Sequence, residues 1–193
     1  MESISVFCGS NQGEDAQIVE SARELGRVLA QRGITLVYGG TQVGLMGTLA
    51  NAALGNQGRV IGVIPDFLAP KEIIHPGVKE MIMVGTMHQR KMKMHELSEG
   101  SLALPGGFGT LEELFEMITW GQLGLHQKPI GLLNSGGFFD GLLSFMDTMV
   151  GKGFLKMEHR EMVLVDGSCT GLLEKMEAYR PILTTKWIKK EQI

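Results

Sequence analysis

The chain has 193 residues, 44% of them apolar, and a mean hydropathy near zero, which is most simply one globular domain with a sizeable core. Its 18 basic and 21 acidic side chains leave a net charge of −3, a balance that gives no reason to expect nucleic acid or a membrane surface as a partner. No run approaches the ~20 apolar residues of a membrane helix, and the N-terminus lacks a signal-peptide pattern, so the default location is cytoplasmic.

Strand-like and helix-like runs alternate from the start. Ile4–Cys8 reads as a short buried strand, followed by the loop Gly9-Ser10-Asn11-Gln12-Gly13. Asp15 to Gln31 carries Ile18, Ala22, Leu25 and Leu29 at helical spacing, and Gly33 stops it. Ile34–Tyr38 is a second strand, Gly39-Gly40 a second turn, and Leu45 to Leu54 a second helix. Val60–Pro65 is a third strand; an irregular stretch from Asp66 to Gly77 then leads to a strand at Met81–Val84 and a helix at Met87–Leu97. Ser101–Leu104 with Thr110–Leu123, and Pro129–Leu133 with Phe138–Val150, are two more strand–helix units. Met162–Val165 is the last strand and Leu172 to Tyr179 the last helix. Residues 1–180 read as one domain and 181–193 as a basic tail.

The strands are continuous apolar runs, as expected when both faces of a sheet are covered. This predicts an α/β fold: a single-domain, doubly wound, mostly parallel sheet with helices on both faces, Rossmann-like. Ligands bind such sheets beyond the carboxyl ends of the strands, at a topological switch point. The glycine turns after the first, second and fifth strands all fall at carboxyl ends and converge on one crevice.

The fifth-strand turn is Pro105-Gly106-Gly107-Phe108-Gly109-Thr110-Leu111-Glu112-Glu113. Glycines where a strand meets a helix N-terminus present unpaired N–H groups and a positive dipole end, which suits a phosphate. Glu112 and Glu113 read as acids of the first helical turn, either as helix-stabilising charges or as part of a site. The usual nucleotide loops do not fit. Gly39, Gly44 and Gly47 have the wrong spacing for GxGxxG, no acid closes the second strand, and no lysine completes a Walker loop, so NAD and ATP are disfavoured.

Met87-His88-Gln89-Arg90-Lys91 places cations in the first turns of a helix, against its dipole. The order is explained if Arg90 or Lys91 faces an anion or a carboxylate in the crevice; a solvated surface helix is the other reading. Cys8 and Cys169 show no metal spacing, and Cys8 reads as a buried thiol. His75, His88, His95 and His126 read as isolated rather than as a metal site, and the methionines from Met81 to Met94 as core.

Three ordered motifs then resemble a known family. Tyr38-Gly39-Gly40 with Gly44-Leu45-Met46-Gly47, Met87-His88 with Arg90-Lys91, and the Pro105–Glu113 turn are similar to the LONELY GUY (LOG) family of cytokinin riboside 5′-monophosphate phosphoribohydrolases, often labelled possible lysine decarboxylase. The resemblance extends through Thr119-Trp120-Gly121-Gln122-Leu123-Gly124 and Lys128–Asn134. Thr41 departs from it, standing where many members carry a third glycine.

The resemblance implies cleavage of the N-glycosidic bond of an adenosine 5′-monophosphate, N6-modified or plain, to free base and ribose 5-phosphate. It implies Arg90 and Glu113 as catalytic residues. It also places Glu72, Lys91, Gly107, Phe108, Gly109, Thr110, Leu111, Glu112 and Thr119 at substrate-contacting positions. No cofactor and no metal are implied, and a homodimer is. Glu113 would stabilise an oxocarbenium-like sugar and orient water, while Arg90, too basic to lose a proton, would position Glu113 and substrate. Met87, Met94 and Trp120 are candidates to line a base pocket. A non-catalytic nucleotide-binding or sensing module is the alternative reading. Lysine decarboxylation ranks below both, for want of a pattern around Lys91 or Lys128.

Overall fold

A computed structural model describes residues 1–68 and 74–181. Among them the strands β1 (Ser3–Phe7), β2 (Thr35–Tyr38), β3 (Val60–Pro65), β4 (Glu80–Val84), β5 (Gly100–Ala103), β6 (Ile130–Leu133) and β7 (Val163–Asp166) form one sheet of seven strands. Its order is β4-β3-β2-β1-β5-β6-β7, and every pairing is parallel. The chain therefore winds outward from β1 to β4, crosses back, and winds outward again from β5. The switch point lies between the adjacent strands β1 and β5, where Phe7 pairs with Ala103.

Alternate residues of the central strands feed two separate cores. Ile4, Val6, Leu36, Tyr38 and Leu102 pack with α1 (Ala16–Gln31), α2 (Gly44–Gly55) and α7 (Cys169–Ala178). Phe7, Val37 and Ala103 pack with α3 (Met87–Glu96), α4 (Phe108–Gln122) and α5 (Asp140–Gly151) on the other face. Both faces are buried, which is why the strands show no apolar–polar alternation.

Local chemistry sets the helix ends. Asp15 caps α1 by accepting from Gln17 N at 2.8 Å. Thr86 and Gln89 form a capping box at the start of α3. Ser168 caps α7, so that helix begins at Cys169, three residues before the apolar spacing alone indicates. A short helix α6 (Met157–Arg160) and a 3-10 turn at Ser135–Gly137 lie in segments too brief for periodicity to reveal.

One shift matters for the site. The helix after β5 starts at Phe108, not Thr110, with Gly107 as N-cap. Glu112 and Glu113 consequently sit in its second turn, not its first, and the first turn holds no acid. Neutralising the helix dipole is therefore not what places them there.

The methionines are not uniformly core. Met94 is fully buried, but Met83, on the edge strand β4, is 45% exposed, and Met92 is exposed on α3. Gly26 marks the tightest helix crossing. A Cβ there would lie 2.4 Å from Leu49 O and 2.9 Å from Ala52 Cβ, so α1 and α2 approach through this gap. We expect Gly26→Ala to lower stability by about 1–3 kcal/mol through overpacking, read as a lower urea midpoint at unchanged slope.

Candidate functional site

The carboxyl ends of β1 and β5 open into a cleft of about 310 Å³. Cys8, Gly9 and Ser10 line it after β1, and Gly107, Phe108, Gly109 and Thr110 after β5. Met46 from α2, Leu68 from the segment after β3, and Met87 and Arg90 from α3 complete the walls with Glu112 and Glu113. The turns after β1 and β5 are tied together by Gly9 N donating to Pro105 O at 3.1 Å. A larger cavity of about 720 Å³ lies at the opposite end of the sheet, against the first residues of β3 and β4. It is at the amino ends of the strands, where doubly wound folds do not build their sites.

The N-terminus of α4 enters the cleft with no side-chain cap. The N–H groups of its first turn, at Phe108, Gly109 and Thr110, have no intrahelical acceptor by geometry. Phe108 itself is 94% exposed at the rim, whereas Thr110 is buried. An anion placed here would meet several N–H donors and the positive dipole end.

Arg90 and Glu113 meet at the back of this cleft. Both are more than nine-tenths buried, and Arg90 Nη1 stands 3.7 Å from Glu113 Oε1. The Arg90 guanidinium closely approaches the second glycine turn: a Cβ on Gly39 would be 2.2 Å from Nη2. Only glycine leaves that space. Burial pushes the Glu113 carboxyl up to about 7, although Arg90 pulls it back down. A carboxyl that titrates near neutrality is suited to proton transfer at neutral pH. The Cys8 thiol beside it is pushed upward, by burial first and by Glu113 second, and is not a ready nucleophile.

Lys91, the neighbour of Arg90, points elsewhere. It is 3% exposed, forms a short ion pair with Glu112, and lies 3.1 Å from Glu116 Oε2. Burial works to lower its proton affinity, and the two glutamates outweigh it and hold the ammonium charged. Arg90 and Lys91 thus both face carboxylates of α4, which accounts for their position against the helix dipole.

The other positions divide between the cleft and its surroundings. Gly107, Phe108, Gly109, Thr110 and Glu112 line the cleft, while Lys91, Leu111 and Thr119 do not. Leu111 packs toward the core beneath α4. Thr119 is exposed two turns further on, its hydroxyl donating to Phe115 O at 2.7 Å. Glu72 lies outside the described residues. Of the candidate base-pocket residues, Met87 lines the cleft, Met94 is closed inside the core, and Trp120 borders a separate groove with His95 and His126. His95 and His126 are not isolated, since their ring centroids lie 4.9 Å apart.

Sequence reading brought the first glycine turn, with Ser10, to the crevice but did not single out Met46 or Leu68 as cleft residues, or Glu116 as the second partner of Lys91. Glu116 carried a signal, standing one helical turn after Glu112 on the same face. Thr41 is accommodated simply. The left-handed residue of the second turn is Gly40, at φ 80°, and Thr41 is buried beside it with its hydroxyl 3.8 Å from Met46 Sδ.

The model of a family described as possible lysine decarboxylase matches residues 46–176. A probable cytokinin riboside 5′-monophosphate phosphoribohydrolase of Oryza sativa subsp. japonica is 47% identical over 178 residues, which are 92% of this chain and 72% of that relative. A cytokinin riboside 5′-monophosphate phosphoribohydrolase of Arabidopsis thaliana is also 47% identical over 178 residues, covering 92% of this chain and 83% of the relative. The solved structure of the molybdenum cofactor binding protein from Rippkaea orientalis matches with a TM-score of 0.69 over 92% of this chain and 96% of that one. At 23% identity that likeness is one of fold. The 47% identity to these proteins over most of both chains, with the family match over residues 46–176, means that this chain belongs to the LONELY GUY (LOG) family.

Proposed function

We propose that this protein hydrolyses the N-glycosidic bond of adenosine 5′-monophosphates, including N6-modified ones, releasing free base and ribose 5-phosphate. Relatives 47% identical over 92% of the chain are named for this reaction. The observation that carries the mechanism is the buried Glu113 carboxyl, paired with Arg90 in the cleft that also receives the bare N-terminus of α4.

The 5′-phosphate binds the N–H groups of Phe108, Gly109 and Thr110. Helix geometry of about 1.5 Å per residue sets Glu113 roughly 6 Å further along α4 than Gly109. That is of the order of the span from a 5′-phosphate to the anomeric carbon of the same sugar. Phosphate binding thus fixes the bond to be broken against the carboxylate. As the base departs, Glu113 stabilises the positive sugar and takes the proton of the attacking water. Arg90 holds Glu113 and stabilises negative charge on the leaving base.

Decarboxylation of lysine, the description attached to the family model, finds no support in the cleft. Among the described residues no lysine lines it. Lys91 is held between two glutamates, and Lys128 Nζ donates to the carbonyls of His95 and Ser98.

The reading includes a cytoplasmic homodimer. Among the described residues no helix is long and apolar enough to cross a membrane. Phe145 on α5 is 57% exposed and Phe154 and Met157 just beyond it are exposed too, an apolar surface that a second copy would cover. Analytical ultracentrifugation should give twice the 21.1 kDa chain mass, and Phe145→Asp should shift it toward the single chain.

Glu113→Gln should reduce kcat by about a thousandfold or more while substrate binding changes only a few-fold, measured by chromatography of released base and by calorimetry. Activity within tenfold of the parent would show that Glu113 is not the catalytic carboxylate. Removing the 5′-phosphate should be equally severe: the free nucleosides should lose at least about a thousandfold in kcat/KM.

The pH dependence follows from the raised proton affinity of Glu113. The working form is the carboxylate, so kcat/KM should rise with pH up to about 7 and then level. The stability effect has the opposite sense. A carboxyl with folded-state affinity above its unfolded value favours folding when protonated, and that contribution is lost between about pH 4 and 7. Glu113→Gln should therefore match the parent in stability near pH 4 and exceed it at pH 8, by up to about 3 kcal/mol in urea unfolding.

A further inference from the structure

The connection from β3 to β4 is fastened by one histidine. Leu68, near its start, lines the cleft. Further on, Ile74 bridges to Thr41, and His75 N donates to Gly40 O at 3.0 Å, so this part of the chain lies against the second glycine turn. It then passes beside α2, where Gly77 comes close to Leu54, and enters β4 at Glu80.

His75 is buried, and both of its ring nitrogens are engaged. Nδ1 accepts from Gly77 N at 3.1 Å, which leaves the ring proton on Nε2. Nε2 donates to Asn51 Oδ1 on α2, also at 3.1 Å. Burial lowers the proton affinity of the ring, which keeps it in the neutral form these bonds need. The ring thus closes residues 75–77 into a turn and pins that turn to α2.

What His75 fastens bears on Arg90. The second glycine turn is packed on both sides. A Cβ on Gly40 would lie 3.0 Å from Met81 Sδ and 3.3 Å from Ile64 Cβ, and the Arg90 guanidinium closes on Gly39. Hydrogen bonds do little to hold that guanidinium. Among the described residues its Nε is buried without a partner, and Glu113 Oε1, at 3.7 Å, is too far to accept. Its position is therefore set by the surface it packs on, which is the turn that His75 backs.

Resting on the phosphoribohydrolase reading, we infer that His75 is a positioning residue for the reaction. Its ring holds the β3–β4 connection on the second glycine turn, and that turn sets Arg90 against Glu113. An error of about 1 Å in the placement of such groups can cost about a hundredfold in rate.

His126 supplies a control. Its Nδ1 accepts from Lys128 N at 3.1 Å and its Nε2 donates to Met117 O at 2.9 Å, the same device in a loop beyond the far end of α4, outside the cleft. Losing either ring should lower stability, but only His75 should reach the reaction.

The test measures kcat per folded molecule, with the folded fraction of each variant taken from urea unfolding. His75→Ala should lower kcat for AMP at least about tenfold with KM within about threefold of the parent, and His126→Ala should leave kcat within about threefold. Asn51→Ala, at an exposed helix position, removes one of the two ring bonds and should give a smaller loss of kcat in a chain that still folds. In ¹H–¹⁵N spectra of the ligand-free protein, the Arg90 Nε–H and Gly39 N–H signals should move in His75→Ala and Asn51→Ala and stay in place in His126→Ala. Unmoved signals in both His75→Ala and Asn51→Ala, or equal losses of kcat in the two histidine variants, would overturn the assignment and leave the hydrolase reading intact. Release of no base by the parent protein would instead count against the hydrolase reading, and the spectra would still decide whether His75 sets Arg90.

Discussion

A carboxyl group buried beside a guanidinium, with no hydrogen bond between them, is the constraint around which this site is arranged. Glu113 is held where water is scarce, so its proton affinity rises toward neutrality. Arg90 limits that rise, and in turn depends on Gly39 for the space it occupies. The pair is possible because α3 crosses back under the sheet and α4 starts at the switch point, bringing two helices from opposite halves of the fold to one cleft wall. Lys91 with Glu112 and Glu116 fastens the same helices one step away, leaving Arg90 without that task.

The arrangement divides labour along a single helix. In the proposed reaction the first turn of α4 offers N–H groups to the phosphate, and its second turn offers a carboxyl to the sugar. Helix rise fixes the interval between them, so a ligand anchored at one end is in register at the other. Burying an acid in this way opposes stability above neutral pH, and a doubly wound sheet with both faces covered supplies the packing that tolerates it.

Much of this was legible in the sequence. Continuous apolar strands such as Ile34–Tyr38 and Val60–Pro65 announced a sheet covered on both faces, and the glycine turns marked its carboxyl ends. The cations at Arg90 and Lys91, placed against the dipole of their own helix, announced carboxylates nearby. Less visible was which carboxylate each would meet, because that depends on the crossover angle of α3 and α4 rather than on either segment. The start of α4 was hidden for a local reason. Gly107 and Gly109 resemble turn residues, yet Phe108 already has helical geometry, so the two glutamates moved from the first turn to the second. The exposure of Met83 followed from β4 being an edge strand, which strand composition alone does not disclose.

The account stands most directly on the state of one carboxyl. An NMR titration following the side-chain carbon of Glu113, assigned by comparison with Glu113→Gln, measures it in the intact protein. The burial beside Arg90 predicts a midpoint near pH 7. A midpoint near 4, the ordinary value of a solvated glutamate, would contradict the account, because the cleft would then be wet and Glu113 an unremarkable surface acid.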